Sequence, residues 1–459
     1  MATATAPRAA RRAPGPRAAN PMIGVYFEAQ RDPLAFTMAM RRQYGDIVRM
    51  RTIMGIVSYQ FSHPDDIDYI LRRNTKTYPK GIFVNSVKPV LGDGILTLEG
   101  DSWLRQRRLA QPAFHRARLM GFGEIMARRA GELIERWRPA AAAGSPVDVT
   151  HEMMRVTIEI VGEALFSANV SDSVDRIDRP FAVLRDHVMY RFYHPLALPE
   201  RVPTGRNRRF MASKRELDEI VYEIIRQRRA GQGQGAGDLL AMLMDARDED
   251  TGEMMNDLQL RDEVTTLLLA GHETTAVALS WACHLLAEHP EIQARLQAEV
   301  DQVLGGRAPT LDDLPQLPYA RMVIDETMRL YPPVYGLVRQ AAQDDEIRGY
   351  RVSKRAIISI VPYVTHRHPE FWDQPEVFDP ERFSPERSAG RPAFAYFPFG
   401  GGPRMCMGNH FALMEAQLIL ALIAQRYALR SLPGHPIEPE PSITLRPRHG
   451  IKLLLAARD

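Results

Sequence analysis

Cys406 lies in the stretch FPFGGGPRMCMGNHFALMEAQ, residues 397–417, behind Gly400, Gly401, Gly402 and Pro403 and ahead of a helical pattern opening at Gly408. Glycines without side chains let the backbone approach something bulky and flat. A thiol at a helix N-terminus has a depressed pKa, and the thiolate it then favours is the form that ligates metals. A lone cysteine is more often a packed core thiol, which is the reading for Cys283 in the apolar run LSWACHLLA. The setting of Cys406, with Phe399, Gly402, Arg404 and Gly408 at fixed offsets, sets it apart.

Three further groups carry chemistry. AGHETT, residues 270–275, puts a polar notch in the apolar stretch 264–287. Ala270 and Gly271 are small there, and a hydroxyl at Thr274 can bend a helix by competing for a backbone carbonyl. A buried Glu273 is costly unless it is used or paired. His272 is expected to face the surface or a neighbouring loop. DETMRLYPP, residues 325–333, places Glu326 and Arg329 three apart on one helical face, and FDPERF supplies Arg382. DSWLRQRR, residues 101–108, places Trp103 and Arg107 on one face as well. Arg105 and Arg108 read as a solvated face, or else as part of a basic docking patch for an acidic electron donor.

The pattern F-x-x-G-x-R-x-C-x-G around Cys406 resembles the haem-binding loop of the cytochrome P450 family, and the other three motifs follow that family's order across residues 103–408. The resemblance implies that Cys406 is the proximal thiolate ligand of haem iron. It implies a haem propionate partner in Arg404, and Phe399 packed beneath the ring near the sulfur. Gly408 and Ala270 would border the cofactor, Ala270 leaving room for a ligand on iron. Trp103 and Arg107 would bind a propionate, with Arg339 as a further propionate partner. Thr274 would hydrogen-bond iron-bound oxygen while Glu273 relays protons. Glu326, Arg329 and Arg382 would form a buried cluster that locks the fold around the haem loop.

By the same resemblance the fold is mainly α, a single-domain P450 fold with a smaller β-rich part, the haem lying between the long helix 257–288 and the Cys406 loop. The implied reaction is monooxygenation of a lipophilic small molecule of fatty-acid, terpenoid, steroid or polyketide class, by hydroxylation or epoxidation. Its cofactors are haem b and O2, with electrons derived from NAD(P)H. Only 53 residues follow Cys406, too few for a flavin reductase domain, so a separate ferredoxin or flavodoxin with its reductase is expected. The rival readings are a peroxide-driven haem-thiolate hydroxylase or isomerase, and a non-enzymatic haem sensor. The intact Glu273–Thr274 pair argues against the first, which needs no proton relay.

The elements that must position these residues are mostly helical. Hydrophobic periodicity predicts helices over 64–73, 101–110, 114–138, 150–166, 206–230, 238–246, 257–288, 290–304, 318–331 and 408–427. Strands are expected near 44–61, 347–361 and 442–456, and GQGQGAG, residues 231–237, as a flexible loop. By the resemblance, the segments 80–98, 180–204 and 333–338 would line the substrate region, and their Phe, Ile, Leu and Val suit a lipophilic substrate. Of the 459 residues, 45% are hydrophobic and 25% charged, the balance of an ordinary globular protein. The net charge is +3, and Arg8, Arg11, Arg12 and Arg17 alone exceed it. The remainder gives no reason to expect nucleic-acid binding. Residues 1–21, rich in Ala, Arg and Pro, are expected to be a disordered tail ahead of one domain over 22–459. Two cysteines cannot build a disulfide framework, and the most apolar stretch carries His272 and Glu273 at its middle, against a membrane span. A soluble, cytoplasmic, monomeric bacterial-type protein without a membrane anchor is the expectation.

Overall fold

A computed structural model describes residues 10–17, 20, 22–167, 174–194, 196–231, 238–247 and 252–458. The described residues form two compact units that interleave along the chain. One is drawn from Met1–Val84, Tyr335–Val377 and Gly390–Cys406; the other from Asn85–Val334, Phe378–Ala389 and Met407–Asp459.

The first unit is built on a four-stranded sheet. Ile47–Arg51 pairs antiparallel with Val57–Phe61, which runs parallel to Ile357–Ile360, itself antiparallel to Leu337–Gln340. Ile47, Tyr59, Phe61, Ile358 and Ile360 share a buried core with Ile67, Ile70 and Leu71 of the helical segment that follows the hairpin. That segment begins as the helix Pro64–Asp68 and widens into a π-helical turn over Tyr69–Arg73.

Ile47–Arg51 is an edge strand, and part of the expected tail covers it. The Arg49 amide donates to the Pro14 carbonyl at 2.7 Å, Arg11 exchanges backbone bonds with Gly349 and Arg351 at 2.9 Å each, and Ala13 is buried. Residues 11–14 are therefore docked chain, which corrects the reading of 1–21 as disordered throughout. A proline offers no N–H but its carbonyl still accepts, so a Pro-rich segment can satisfy an exposed sheet edge. Residues 1–9, 18, 19 and 21 of that tail, and 232–237 of the expected flexible loop, lie outside the described residues.

The second unit is helical. Its longest element, Asp257–Glu288, has the bounds the periodicity predicts, opened by a capping box between Asn256 and Gln259. It packs against Val149–Phe166, and a Cβ on Gly271 would lie 3.1 Å from Val161. Gly271 thus serves close helix packing, a need that the motif alone does not reveal. Trp281 stacks on Tyr331 with ring centroids 4.0 Å apart and donates its indole N–H to the Leu445 carbonyl at 2.8 Å. Three strands, Val147–Asp148, Lys452–Ala457 and Tyr427–Ser431, make a small sheet, and Pro439–Pro441 with Leu445–Pro447 a short hairpin.

One helical expectation shifts, and one helix lies where none was expected. The segment 114–138 breaks into Arg116–Leu119, a 3-10 turn at Met120–Phe122 and the helix Gly123–Ala143, which runs past Pro139 to a left-handed Gly144. Val174–Tyr193 is a helix despite an internal Pro180, and its later part falls in the segment 180–204 that the family resemblance places near the substrate.

Candidate functional site

In the first unit the Cys406 loop is held by its own backbone. The Gly400 amide donates to the Phe397 carbonyl at 2.9 Å, Met405 to Gly402 at 3.1 Å, and Cys406 to Phe399 at 3.0 Å. Beneath it, the Phe397 amide donates to His366 Nε2 at 3.0 Å and Trp372 Nε1 to the Ala395 carbonyl at 3.3 Å. Gly402 sits at φ +65°, and a Cβ there would lie 2.0 Å from the Leu71 carbonyl oxygen. Gly402 is thus required by the close approach to the π-turn, whereas a Cβ on Gly401 would meet the Phe394 ring. Within this frame Cys406 is exposed, while Phe399 and Arg404 are half-buried. Arg339 is on the strand Leu337–Gln340, half-buried, its Nη1 donating to the Val338 carbonyl at 2.9 Å.

In the second unit the 32-residue helix is buried along most of its length, yet Ala270 is exposed and Leu269, Gly271 and Thr274 are partly so. This opens one short face midway along a rod that is otherwise covered except at its two ends and at His284. The Thr274 hydroxyl donates to the Ala270 carbonyl at 2.8 Å, the competition with the helix backbone that the motif predicts. Glu273 is buried. Its Oε1 accepts from Thr444 Oγ1 at 2.7 Å and from Arg185 Nη1 at 3.3 Å. Arg185 and Thr444 come from the helix Val174–Tyr193 and the C-terminal hairpin region, and sequence reasoning missed both. A buried carboxylate in the motif signals that some cation must exist, but not which one.

His272 corrects its expectation. It is 2% exposed, beside the Phe181 ring, and burial pushes its pKa down. Cys283 is the core thiol expected, its pKa raised by burial to about 12. Gly408 precedes the helix Asn409–Arg426 as its N-cap, with only Phe114 near a would-be Cβ, at 3.8 Å. Trp103 and Arg107 are half-buried neighbours on the helix Gly100–Ala110. Arg105 on the same helix faces Glu253 at 3.5 Å, so at least one residue of the suggested basic patch has an internal counter-charge.

The buried cluster is formed as expected. Arg329 grips Glu326 with two bonds, Nε to Oε2 at 2.6 Å and Nη2 to Oε1 at 2.7 Å, both side chains fully buried. Arg382 Nε approaches Glu326 Oε1 at 3.4 Å, and the Asp379 amide donates to the same oxygen at 2.9 Å.

Within the first unit, an exposed thiol on a braced loop with half-buried Arg404 and Arg339 fits an anionic, metal-centred group. The family model for cytochrome P450 matches residues 14–455. The chain belongs to the cytochrome P450 family. This P450 is 38% identical to cyclooctatin synthase of Streptomyces melanosporofaciens, over 93% of this chain and 92% of that one. It is 35% identical to cyclooctat-9-en-7-ol 5-monooxygenase of the same organism, over 90% and 89%. Pentalenene oxygenase of Streptomyces avermitilis is 33% identical over 97% of both chains. Among solved structures, the haem domain of cytochrome P450DA superposes with a TM-score of 0.89 at 29% identity, covering 98% of this chain and 99% of that one. The mainly α P450 fold and a haem-thiolate P450 monooxygenase follow from these likenesses. No helix among the described residues is long and apolar enough to cross a membrane.

Proposed function

We propose that this P450 inserts one atom of O2 into a terpenoid or similarly lipophilic carbon skeleton, with electrons delivered by a separate ferredoxin or flavodoxin and its reductase. The likeness to monooxygenases named for cyclooctat-9-en-7-ol and pentalenene supports the substrate class. The observation that carries the reaction type is the Glu273–Thr274 pair, with Glu273 buried and held by Arg185 and Thr444. The reading includes a cytoplasmic, monomeric enzyme whose haem domain reaches N-terminal of residue 22 to take in the docked residues 11–14.

Bound haem would supply oxygen activation and insertion into a C–H or C=C bond, the second oxygen atom leaving as water. The residues present fit it. Cys406 would ligate iron through its thiolate, a donor that favours O–O cleavage. Arg404, Arg339 and Arg107 would pair with propionates by charge-assisted bonds, Trp103 assisting Arg107. Phe399 would pack near the sulfur, and Gly408 and Ala270 would keep the cofactor's surroundings small. Thr274 Oγ1 can turn from the Ala270 carbonyl to hold a proton at the reacting centre. Glu273 Oε1 accepts from a cation and a hydroxyl, so proton delivery would use Oε2 or a rotation of the carboxylate away from Arg185 and Thr444.

The test is the absorption spectrum of the reduced, carbon-monoxide-bound protein, wild type against Cys406→Ser, followed by titration with terpenoid hydrocarbons and fatty acids. A strongly red-shifted Soret band lost in the variant, and a substrate-induced Soret shift with terpenoids, are expected. A band indifferent to Cys406 overturns the thiolate assignment, and a shift confined to fatty acids overturns the substrate class. Product formed with hydrogen peroxide but not with NADH and a donor pair overturns the partner.

A further inference from the structure

The N-terminal part of the first unit holds large apolar side chains out into solvent. Met22 is 62% exposed, Ile23 37%, Phe27 63% and Met54 52%. They belong to one place in the fold: the Met54 amide donates to the Met22 carbonyl at 2.7 Å, and the Val25 amide to the Arg51 carbonyl at 2.9 Å. The rings of Tyr26 and Phe27 meet edge to face at 5.3 Å on the six-residue helix Tyr26–Arg31. Met54 occupies a left-handed turn position, φ +60°, which costs a non-glycine residue about 1 kcal/mol. Burial of its side chain does not offset that cost.

The segment is net basic, although Glu28 and Asp32 are exposed on it as well. Residues 1–55 contain nine arginines, no lysine, and as acids only Glu28, Asp32 and Asp46, a net charge of +6 against +3 for the whole chain. The rest of the protein is therefore net negative. Asp46 is already engaged by Arg41 and His368, and Asp32 caps the helix Pro33–Tyr44. Arg11, Arg12, Arg17, Arg31 and Arg51 are exposed.

Apolar side chains standing out singly from a turn and a short helix, amid arginines, match the boundary between lipid headgroups and acyl chains. There the apolar groups leave water and the guanidinium groups meet phosphate. We infer that this face docks peripherally on an anionic lipid surface, with Met22, Ile23, Phe27 and Met54 entering the headgroup–acyl boundary. An acidic protein would match the arginines, but protruding side chains suit a fluid surface better than a shaped one. The inference does not depend on the proposed substrate, because binding is read without turnover.

The experiment is co-sedimentation of the full-length haem-loaded protein with vesicles of phosphatidylcholine, alone or mixed with phosphatidylglycerol, at low and high salt. Binding about tenfold stronger to the anionic vesicles and weakened by salt is expected, as is an about fivefold loss in the Phe27→Ser, Met54→Ser double variant. An unchanged carbon-monoxide spectrum certifies that the variant is folded. In a Phe27→Trp variant, brominated acyl chains should quench the indole emission. Equal partition to neutral and anionic vesicles, binding unaffected by the double variant, or no quenching overturns the inference. So does a dimer in sedimentation that the double variant dissociates, which would make the face an interface between copies.

Discussion

Glu273 and Arg185 form a buried ion pair, 3.3 Å from Oε1 to Nη1, one residue before the hydroxyl of Thr274. The pair joins the motif-bearing helix to Val174–Tyr193, so the carboxylate is both a brace and the proposed proton carrier.

These two roles separate by mutation. Glu273→Gln keeps the shape and removes the titrating group, so product formation should fall by about 10²-fold with a larger solvent isotope effect. Arg185→Leu instead leaves a buried carboxylate unpaired and should cost about 3 kcal/mol of stability, read by chemical denaturation. A Glu273→Gln enzyme with wild-type turnover and isotope effect removes the relay.

The Glu326–Arg329 pair is fully buried and doubly bonded. Breaking it in Arg329→Leu should cost about 3–5 kcal/mol, because Glu326 loses its main counter-charge. The expected result is a lower melting temperature and poor haem retention, with Arg329→Lys only partly restoring both, since a lysine cannot supply the fork. Equal melting of wild type and Arg329→Leu contradicts the cluster's structural role.

Gly402→Ala combines a left-handed backbone with a collision against the Leu71 carbonyl, whereas Gly434, at φ +77°, has nothing within 4 Å of a Cβ. The first substitution should cost more than about 2 kcal/mol and weaken haem loading; the second should cost about 1 kcal/mol and leave loading intact. Thermal melts and the haem-to-protein absorbance ratio distinguish them, and equal behaviour would show that the close approach does not matter.

Glu263 is buried, and that burial raises its carboxyl from 4.5 to about 7, with Gln106 and the Ile95 amide opposing and Asp262 adding to the rise. Between those values the folded state keeps a proton that the unfolded chain releases, so this group's contribution falls as pH rises through the window and is lost above about 7. Glu263→Gln removes the dependence. Its stability relative to wild type should therefore climb by roughly 3 kcal/mol between pH 4 and pH 8, followed by urea denaturation. A difference that stays flat with pH would mean that Glu263 ionises normally.

Elements with uninterrupted periodicity were legible in the sequence. Asp257–Glu288 and Pro290–Leu304 run between the residues the pattern marks, because each begins at a capping or N1 signal and buries a continuous face. Val174–Tyr193 was not legible, since Pro180 mimics a break that neighbouring packing overrides. The docked residues 11–14 were hidden for a related reason: their order comes from the open edge of Ile47–Arg51, and nothing in an Ala/Arg/Pro composition announces that edge.

The sequence by itself determined the family, the thiol at Cys406, the Glu273–Thr274 pair and the Glu326, Arg329 and Arg382 cluster, because local spacing carries those motifs. Only the tertiary structure decided which partners the charged and small residues meet: Arg185 and Thr444 at Glu273, Val161 at Gly271, and the buried place of His272. Those partners are far away in sequence. Burial and ion pairing depend on which helices pack together, and that depends on the summed contacts of whole elements rather than on any short stretch of chain.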